Sequence, residues 1–238
     1  MATNPVSTKR GRNTTVALKV LMAVTGLFFV VFVLFHMYGN LKMFGGPESY
    51  NGYAHHLRTM FQPILPYEGL LWILRVLLVL SVIGHVYSAV TLWARAKAAR
   101  GGTAYKVSSG KKVTLGQTYA ARTMRWGGIT IVVWLVFHLL QFTLLKANVG
   151  GDYSTMTPYE RMVTGFSSEN WWVWAVYFVA ILLLALHVRH GVWSALATLG
   201  LSTRRRERAY KITGDLVAFA LLVGFMAPPT AILLGLIP

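Results

Sequence analysis

Cysteine is absent from this chain of 238 residues, and acidic residues are scarce. Without cysteine, the chain forms no disulfide, ligates no iron–sulfur cluster and carries no covalently attached c-type haem. Asp and Glu number 7 against 23 Lys and Arg, which gives a formal net charge of +16, although only 13% of the residues are charged. Histidine, with 7 copies, is therefore the nitrogen ligand that the chain offers to a metal ion.

Hydrophobic residues make up 55% of the sequence and are grouped in long blocks. Five blocks reach roughly 20 residues, the length that crosses about 30 Å of hydrocarbon at 1.5 Å per residue. We therefore predict an all-α integral membrane bundle of five transmembrane helices that uses the whole chain, 1–238, as a single domain. A short extra helix is expected around 50–60, and Pro228 and Pro229 are expected to break or kink the last long helix. The predicted long helices span about 16–37, 68–95, 124–146, 170–198 and 213–236.

Basic residues are concentrated before the first helix, between the second and third, and between the fourth and fifth. The other two loops hold five of the seven acidic residues: Glu48, Glu68, Asp152, Glu160 and Glu169. Loops rich in Lys and Arg stay on the cytoplasmic side, so the N-terminus is predicted inside and the C-terminus outside. Basic loops next to a membrane attract anionic lipid, and nucleic acid is not a predicted partner.

Four of the histidines lie one to a helix, in the first four apolar blocks: His36, His85, His138 and His187. The predicted orientation places the first and third of them in the outer half of the membrane and the other two in the inner half. His36 and His138 are then expected to meet at one level. His85 and His187 are expected to meet at the other. Two such pairs stacked across a bilayer suit two b-type haems, in which each iron takes two neutral imidazoles as axial ligands.

Other roles for these histidines stay open from the sequence. A lone histidine in a membrane often serves as a hydrogen-bonding group between helices. Zinc is a second alternative, although it favours carboxylate or cysteine ligands at the same depth, and a proton relay is a third. His190 follows His187 by about one turn, so it is either a fallback ligand or a partner for a haem propionate. Arg189 is a candidate for the same propionate, with extension to the inner surface as its alternative.

Aromatic residues near the helix ends predict an interfacial belt: Trp126, Trp171, Trp172, Trp174 and Tyr177. The outer loops also carry polar side chains of the kind that a quinone site needs for its carbonyl oxygens. The candidates for that site are Glu48, Glu68 and Arg58. His55 and His56 lie in the same loop and are not counted as haem ligands.

Four segments carry a resemblance to a known family: FHMYGN, GHVYSAVTLW, RTMRWGGITIVVWLVFHLLQ and LHVRHGVW. With the order and spacing of their histidines, they make the chain resemble the cytochrome b membrane-anchor subunit of bacterial succinate:quinone oxidoreductases, the succinate dehydrogenases and fumarate reductases. The likeness is to the five-helix, di-haem type. It covers essentially the whole chain.

The resemblance implies specific roles and partners. His36 and His138 would hold the distal haem b, and His85 and His187 the proximal one. A flavoprotein subunit would oxidise succinate, an iron–sulfur subunit would carry the electrons, and this chain would anchor both and pass the electrons to a quinone, menaquinone by family. The chain would then belong to an enzyme complex of the bacterial cytoplasmic membrane without a dicarboxylate site of its own. A higher oligomer of that complex is left open.

Two rival functions remain beside this one. The first keeps electron transfer but changes the partners, so that the chain is the cytochrome b anchor of a hydrogenase or a formate dehydrogenase. The second is a haem-free membrane transporter. Transporters place a substrate site on interrupted helices near the midplane, often with internal symmetry, whereas the proline pair in this chain lies near the end of the last helix.

Overall fold

The computed structural model describes residues 14–99, 123–203 and 205–237. Within these ranges the regular secondary structure is helical. A π-helical turn, Thr123–Gly127, leads into the fourth helix, and short 3₁₀ turns precede the second and sixth. The helices are α1 (Thr15–Leu41), α2 (Gly46–Thr59), α3 (Gly69–Ala98), α4 (Gly128–Phe142), α5 (Pro158–Gly165), α6 (Trp171–Thr198) and α7 (Glu207–Leu233).

Five helical segments are long and apolar enough to cross a membrane: α1, α3, α6, α7, and α4 together with the π-helical turn that leads into it. Their outward faces are apolar as well, most clearly on α3, where Val76, Val79, Leu80 and Ile83 are all exposed. Exposed apolar faces of this extent suit contact with lipid tails rather than water. The prediction of an all-helical, multi-pass bundle is confirmed at this level.

Contacts between the helices fix their relative directions. The Arg95 guanidinium, at the end of α3, donates to the Thr15 hydroxyl, at the start of α1 (3.2 Å). The Trp174 indole of α6 donates to the Thr230 hydroxyl of α7 (3.0 Å). We call the end of the bundle where α1 begins the near end and the opposite end the far end. Helices α1, α4 and α7 begin at the near end, while α3 and α6 end there.

Helix α6 forms the centre of the bundle and packs most closely against α7. A Cβ atom built on Gly214 of α7 would lie 2.7 Å from the backbone oxygen of Arg189, so the two helix backbones meet directly at this glycine. The Asp215 carboxylate next to it accepts a hydrogen bond from the Arg189 guanidinium. A second glycine of α7, Gly224, faces the flexible side chain of Met37 on α1 instead of a backbone.

Replacing Gly214 with alanine is expected to destabilise the bundle, because the new methyl group would press on a backbone atom that cannot turn aside. Overpacking of this kind costs about 1–3 kcal/mol. Gly224→Ala is the matched control, with a smaller loss, since the Met37 thioether can adopt another rotamer. Thermal unfolding of the two variants in detergent measures the difference. Equal melting temperatures would contradict a backbone contact at Gly214.

The helix bounds differ from the predicted ones where local hydrogen bonds decide them. Helix α1 continues four residues beyond 37, and the Asn40 amide in that extra turn donates to the backbone oxygen of His36 (2.8 Å). Helix α4 ends four residues before 146, since Leu145 adopts a positive φ of 52°. Helix α7 begins six residues before 213. It also continues through both prolines to Leu233, so of the predicted break or kink at the prolines, the break is wrong.

Two short helices cover the far end of the bundle. Helix α2 was expected, whereas α5 was not, although Thr157 and Glu160 form a capping box at its start. The Asn51 side chain of α2 accepts a hydrogen bond from the backbone of Tyr159 in α5 (3.0 Å). Two of the three basic segments, those before α1 and between α3 and α4, fall at 1–13 and 100–122, outside the described residues.

Candidate functional site: two histidine pairs in the bundle

The first histidine pair lies toward the far end of the bundle, and we call it the far pair. The rings of His36 on α1 and His138 on α4 have centroids 5.9 Å apart. Phe32 stacks on His36 at 5.4 Å, and Trp134 stacks on His138 at 5.2 Å. These aromatic neighbours lie one turn before each histidine on the same helix, so the helical repeat itself supplies the stacking.

The second pair, the near pair, lies closer to the near end. The rings of His85 on α3 and His187 on α6 have centroids 6.3 Å apart. Glycines face both rings: Cβ atoms built on Gly26 and Gly128 would lie 3.4 Å and 3.7 Å from the Cε1 atoms of His85 and His187. These distances are ordinary van der Waals contacts, so the glycine backbones lie directly beside the two rings.

The distance between the two pairs along the bundle can be obtained from α1 and from α6, and the two values agree. On α1, Thr25 contacts His85 of the near pair, and His36 of the far pair follows eleven residues later. On α6, Tyr177 contacts His138 of the far pair, and His187 follows ten residues later. At 1.5 Å per residue, the pairs lie about 15 Å apart along the bundle. The structure thus brings together the same partners that depth in the membrane predicts, at two levels.

The ring spacing can be compared with that of two imidazoles on one metal ion. An imidazole nitrogen binds a metal at about 2 Å and the ring centre lies about 1 Å behind it, so two rings on opposite sides of one ion have centroids about 6 Å apart. Both measured spacings agree with this value. Among the described residues, His, Cys, Asp and Glu form no group of three or more that could hold an ion. Each site therefore offers two imidazoles from the protein.

One histidine of each pair is anchored through its Nδ1 atom. His138 Nδ1 lies 3.1 Å from the hydroxyl of Tyr177, and His85 Nδ1 lies 3.1 Å from the hydroxyl of Thr25. Among the described residues, the hydrogen bonds of these two rings are made through Nδ1 and none through Nε2. The Nδ1 atom of His187 is buried without a hydrogen-bond partner in the described part of the chain.

The two residues considered for a propionate have other neighbours. The ring of His190 lies edge-on to Trp193, with centroids 6.1 Å apart. Arg189 is half exposed and pairs with Asp215 of α7. The fallback ligand His190 is thus not the histidine that faces His85, because His187 occupies that place.

At the far end, two of the three quinone candidates come together with an arginine that had not been assigned to the site. Glu68 accepts hydrogen bonds from Arg58 (3.0 Å) and from Arg75 (3.3 Å). We call these three residues the far-end cluster. Burial and the neighbouring Arg58 guanidinium lower the pKa of Arg161, so this surface is crowded with positive charge. Glu48, the third candidate, is exposed on the first turn of α2.

Several site residues were missed in the sequence or assigned another role. Tyr177 was assigned to the interfacial belt, but it is buried and contacts a histidine, so that prediction is wrong for Tyr177. Trp126, Trp171 and Trp172 are exposed, as a belt requires. Gln141 and Thr25 are polar residues within apolar helices, which was the available signal for both. Asp215, the partner of Arg189, carried the same signal.

Comparison with known proteins adds no relative. The chain matches no family model, no characterised protein and no solved structure. The functional assignment therefore depends on the two histidine pairs, the far-end cluster and the sequence segments that carry the family resemblance.

Proposed function

We propose that this chain is the membrane-anchor cytochrome b subunit of a succinate:quinone oxidoreductase, with one b-type haem at each histidine pair. The observation that carries the proposal is the spacing of the two pairs, 5.9 Å and 6.3 Å between ring centroids, on four different helices. His36 and His138 hold the distal haem in this proposal. His85 and His187 hold the proximal one.

The chemistry of the ligand set supports haem over a bare ion. Structural zinc takes four ligands from the protein, whereas haem iron brings four nitrogen donors in its macrocycle and needs two axial ligands. Two neutral imidazoles per site match the second case. When bound, the haem iron supplies one-electron transfer. The protein's part is to hold each group at its depth and to set its potential through ligands, hydrogen bonds and burial.

The near end faces the cytoplasm in this proposal, in the bacterial cytoplasmic membrane, with the N-terminus inside and the C-terminus outside. The distribution of Lys and Arg between the loops supports that orientation. The near pair is then the first to receive electrons from an iron–sulfur subunit on the cytoplasmic side, which a flavoprotein subunit supplies. The Lys and Arg residues of the loops on that side would meet anionic lipid headgroups and the docked subunits.

The far-end cluster is the proposed quinone site, and menaquinone is the quinone suggested by the family resemblance. Reduction of a quinone requires two electrons and two protons. The Arg58 and Arg75 guanidiniums can donate hydrogen bonds to a carbonyl oxygen, while the Glu68 carboxylate can exchange protons with it. Its position at the same end of the bundle as the far pair supports this site.

Reduction of the haems by a defined donor tests the function. The chain is purified with its native partner subunits, and succinate is added under anaerobic conditions. We expect succinate to produce the absorption bands of reduced b-type haem, with formate and hydrogen as matched controls that produce none. Reduction by formate or hydrogen, with no response to succinate, would contradict the proposal and favour the anchor of a formate dehydrogenase or hydrogenase.

A further inference from the structure

A buried row of hydrogen bonds begins at the far pair and ends in the loop before α5. His138 Nδ1 lies 3.1 Å from the Tyr177 hydroxyl, and that hydroxyl donates to the Oε1 atom of Gln141 (2.9 Å). The Nε2 atom of Gln141 donates to the Tyr153 hydroxyl (3.3 Å). Gln141 and Tyr153 are fully buried, and Tyr177 is 6% exposed. Water therefore does not replace these bonds.

The row determines which nitrogen of His138 carries the proton. The Tyr177 hydroxyl has one hydrogen atom, and Gln141 Oε1 accepts it. The Tyr177 oxygen can then only accept a bond from His138, so the ring proton is on Nδ1. A neutral imidazole with its proton on Nδ1 has a free lone pair on Nε2, which is the state that binds iron.

Gln141 bridges the two tyrosine hydroxyls in the orientation that this requires. Its amide nitrogen is turned toward Tyr153, which leaves its oxygen toward Tyr177. A Cβ atom on Gly165 would lie 3.3 Å from Gln141 Nε2 and in contact with the Tyr153 hydroxyl, so this glycine leaves room for the amide. The amide thus links the Tyr153 hydroxyl to the Tyr177 hydroxyl, with its nitrogen donating to the first and its oxygen accepting from the second.

We infer that Gln141 is a positioning residue that sets the tautomer of His138 through Tyr177, and thereby makes His138 competent to bind the distal haem. This inference rests on the proposed function, which supplies the distal haem. The near pair reaches the same tautomer by another route: the Thr25 hydroxyl donates to the backbone oxygen of Leu21 (2.7 Å) and accepts from His85 Nδ1 (3.1 Å). The near pair is therefore an internal control.

The number of haems bound is expected to be lower in one single variant than in the double variant that contains it. In Gln141→Leu, the buried Tyr177 hydroxyl loses its acceptor and turns its hydrogen atom to His138 Nδ1, because an unpaired buried donor is costly. The ring proton then moves to Nε2, and the distal haem is lost, so the haem count falls by half. In Tyr177→Phe, both haems stay, because His138 can keep its proton on Nδ1. In the double variant the distal haem returns.

Potentiometric titration adds a second readout. A histidine that binds iron through Nε2 becomes less basic when its Nδ1–H loses its hydrogen-bond acceptor. A less basic ligand stabilises ferric iron less, which raises the midpoint potential. Tyr177→Phe is therefore expected to raise the midpoint potential of the distal haem alone. Thr25→Val, the matched control at the near pair, is expected to raise the potential of the proximal haem alone.

The experiment measures haem per chain by pyridine haemochrome in the wild-type complex and the variants, with ¹⁵N-histidine spectra of the purified chain to read the tautomer of His138. Recovery of the distal haem in Gln141→Leu/Tyr177→Phe supports the inference, since a merely structural loss would be equal or worse in the double variant. A double variant no better than Gln141→Leu, or a Gln141→Leu variant with both haems, would overturn it. A wild-type complex without haem contradicts the proposed function instead, and the ¹⁵N spectra still decide whether Gln141 controls the tautomer.

Discussion

Replacing His187 with alanine is expected to remove one of the two proposed haems and leave the other, whereas replacing His190 removes neither. The two histidines lie three residues apart on α6, yet the His187 ring faces His85 while the His190 ring lies against Trp193. In the variant, the haem proposed for this site would keep a single imidazole from the protein, that of His85. Haem per chain, measured by pyridine haemochrome, separates the two variants, and circular dichroism confirms that both are folded.

Double variants test the pairing itself. His85→Ala/His187→Ala is expected to lose no more haem than either single variant, because both residues belong to the same proposed haem site. His138→Ala/His187→Ala is expected to lose all of it, because the residues belong to different pairs. A complete loss in the first double variant, or a half loss in the second, would contradict the pairs that the structure brings together.

Glu68→Gln is expected to slow the reduction of quinone, while the reduction of the proposed haems by succinate is unchanged. The amide keeps the size of the carboxylate but cannot exchange a proton, and it no longer balances Arg58 and Arg75. General acid–base catalysis typically contributes at least about 10²-fold, so succinate-dependent quinone reduction should fall by about that factor. Reduction of the haems by succinate should remain at the wild-type rate, which shows that the complex is assembled.

Glu48→Gln is the matched control for this experiment. Glu48 lies in the same far-end region but is exposed on α2, so its replacement should leave quinone reduction unaltered. Equal losses in the two variants would indicate a general effect of charge at this surface. Normal quinone reduction by Glu68→Gln would exclude the far-end cluster as the site of proton exchange.

The sequence was sufficient for the helices and for the two histidine pairs, for a physical reason. A helix that must cross a membrane has a known length and a known start, so the position of a residue along it gives its depth. Depth alone was enough to match His36 with His138 and His85 with His187. The helix ends were less certain, because single bonds such as that from Asn40 to the His36 backbone decide them.

The side chains that hydrogen-bond to the histidines could not be predicted from depth in the membrane. Helical periodicity gives the face on which Tyr177 or Gln141 lies, but the neighbour of that face depends on how α4 and α6 pack. Tyr177 is near a helix end, so an interfacial position was the simpler interpretation, and its burial became apparent only in the folded chain. Glu68 and Arg58 of the far-end cluster were predicted from the sequence, but Arg75 was not. Arg75 reaches Glu68 from about two helical turns away.

The number of b-type haems bound per chain in the purified wild-type complex tests the central claim most directly. A dithionite-reduced minus oxidised spectrum identifies the haem type, and a pyridine haemochrome assay gives the count. The account predicts two b-type haems, one for each histidine pair. A single haem would contradict one of the pairs, and a folded complex with none would contradict electron transfer as the function of this chain.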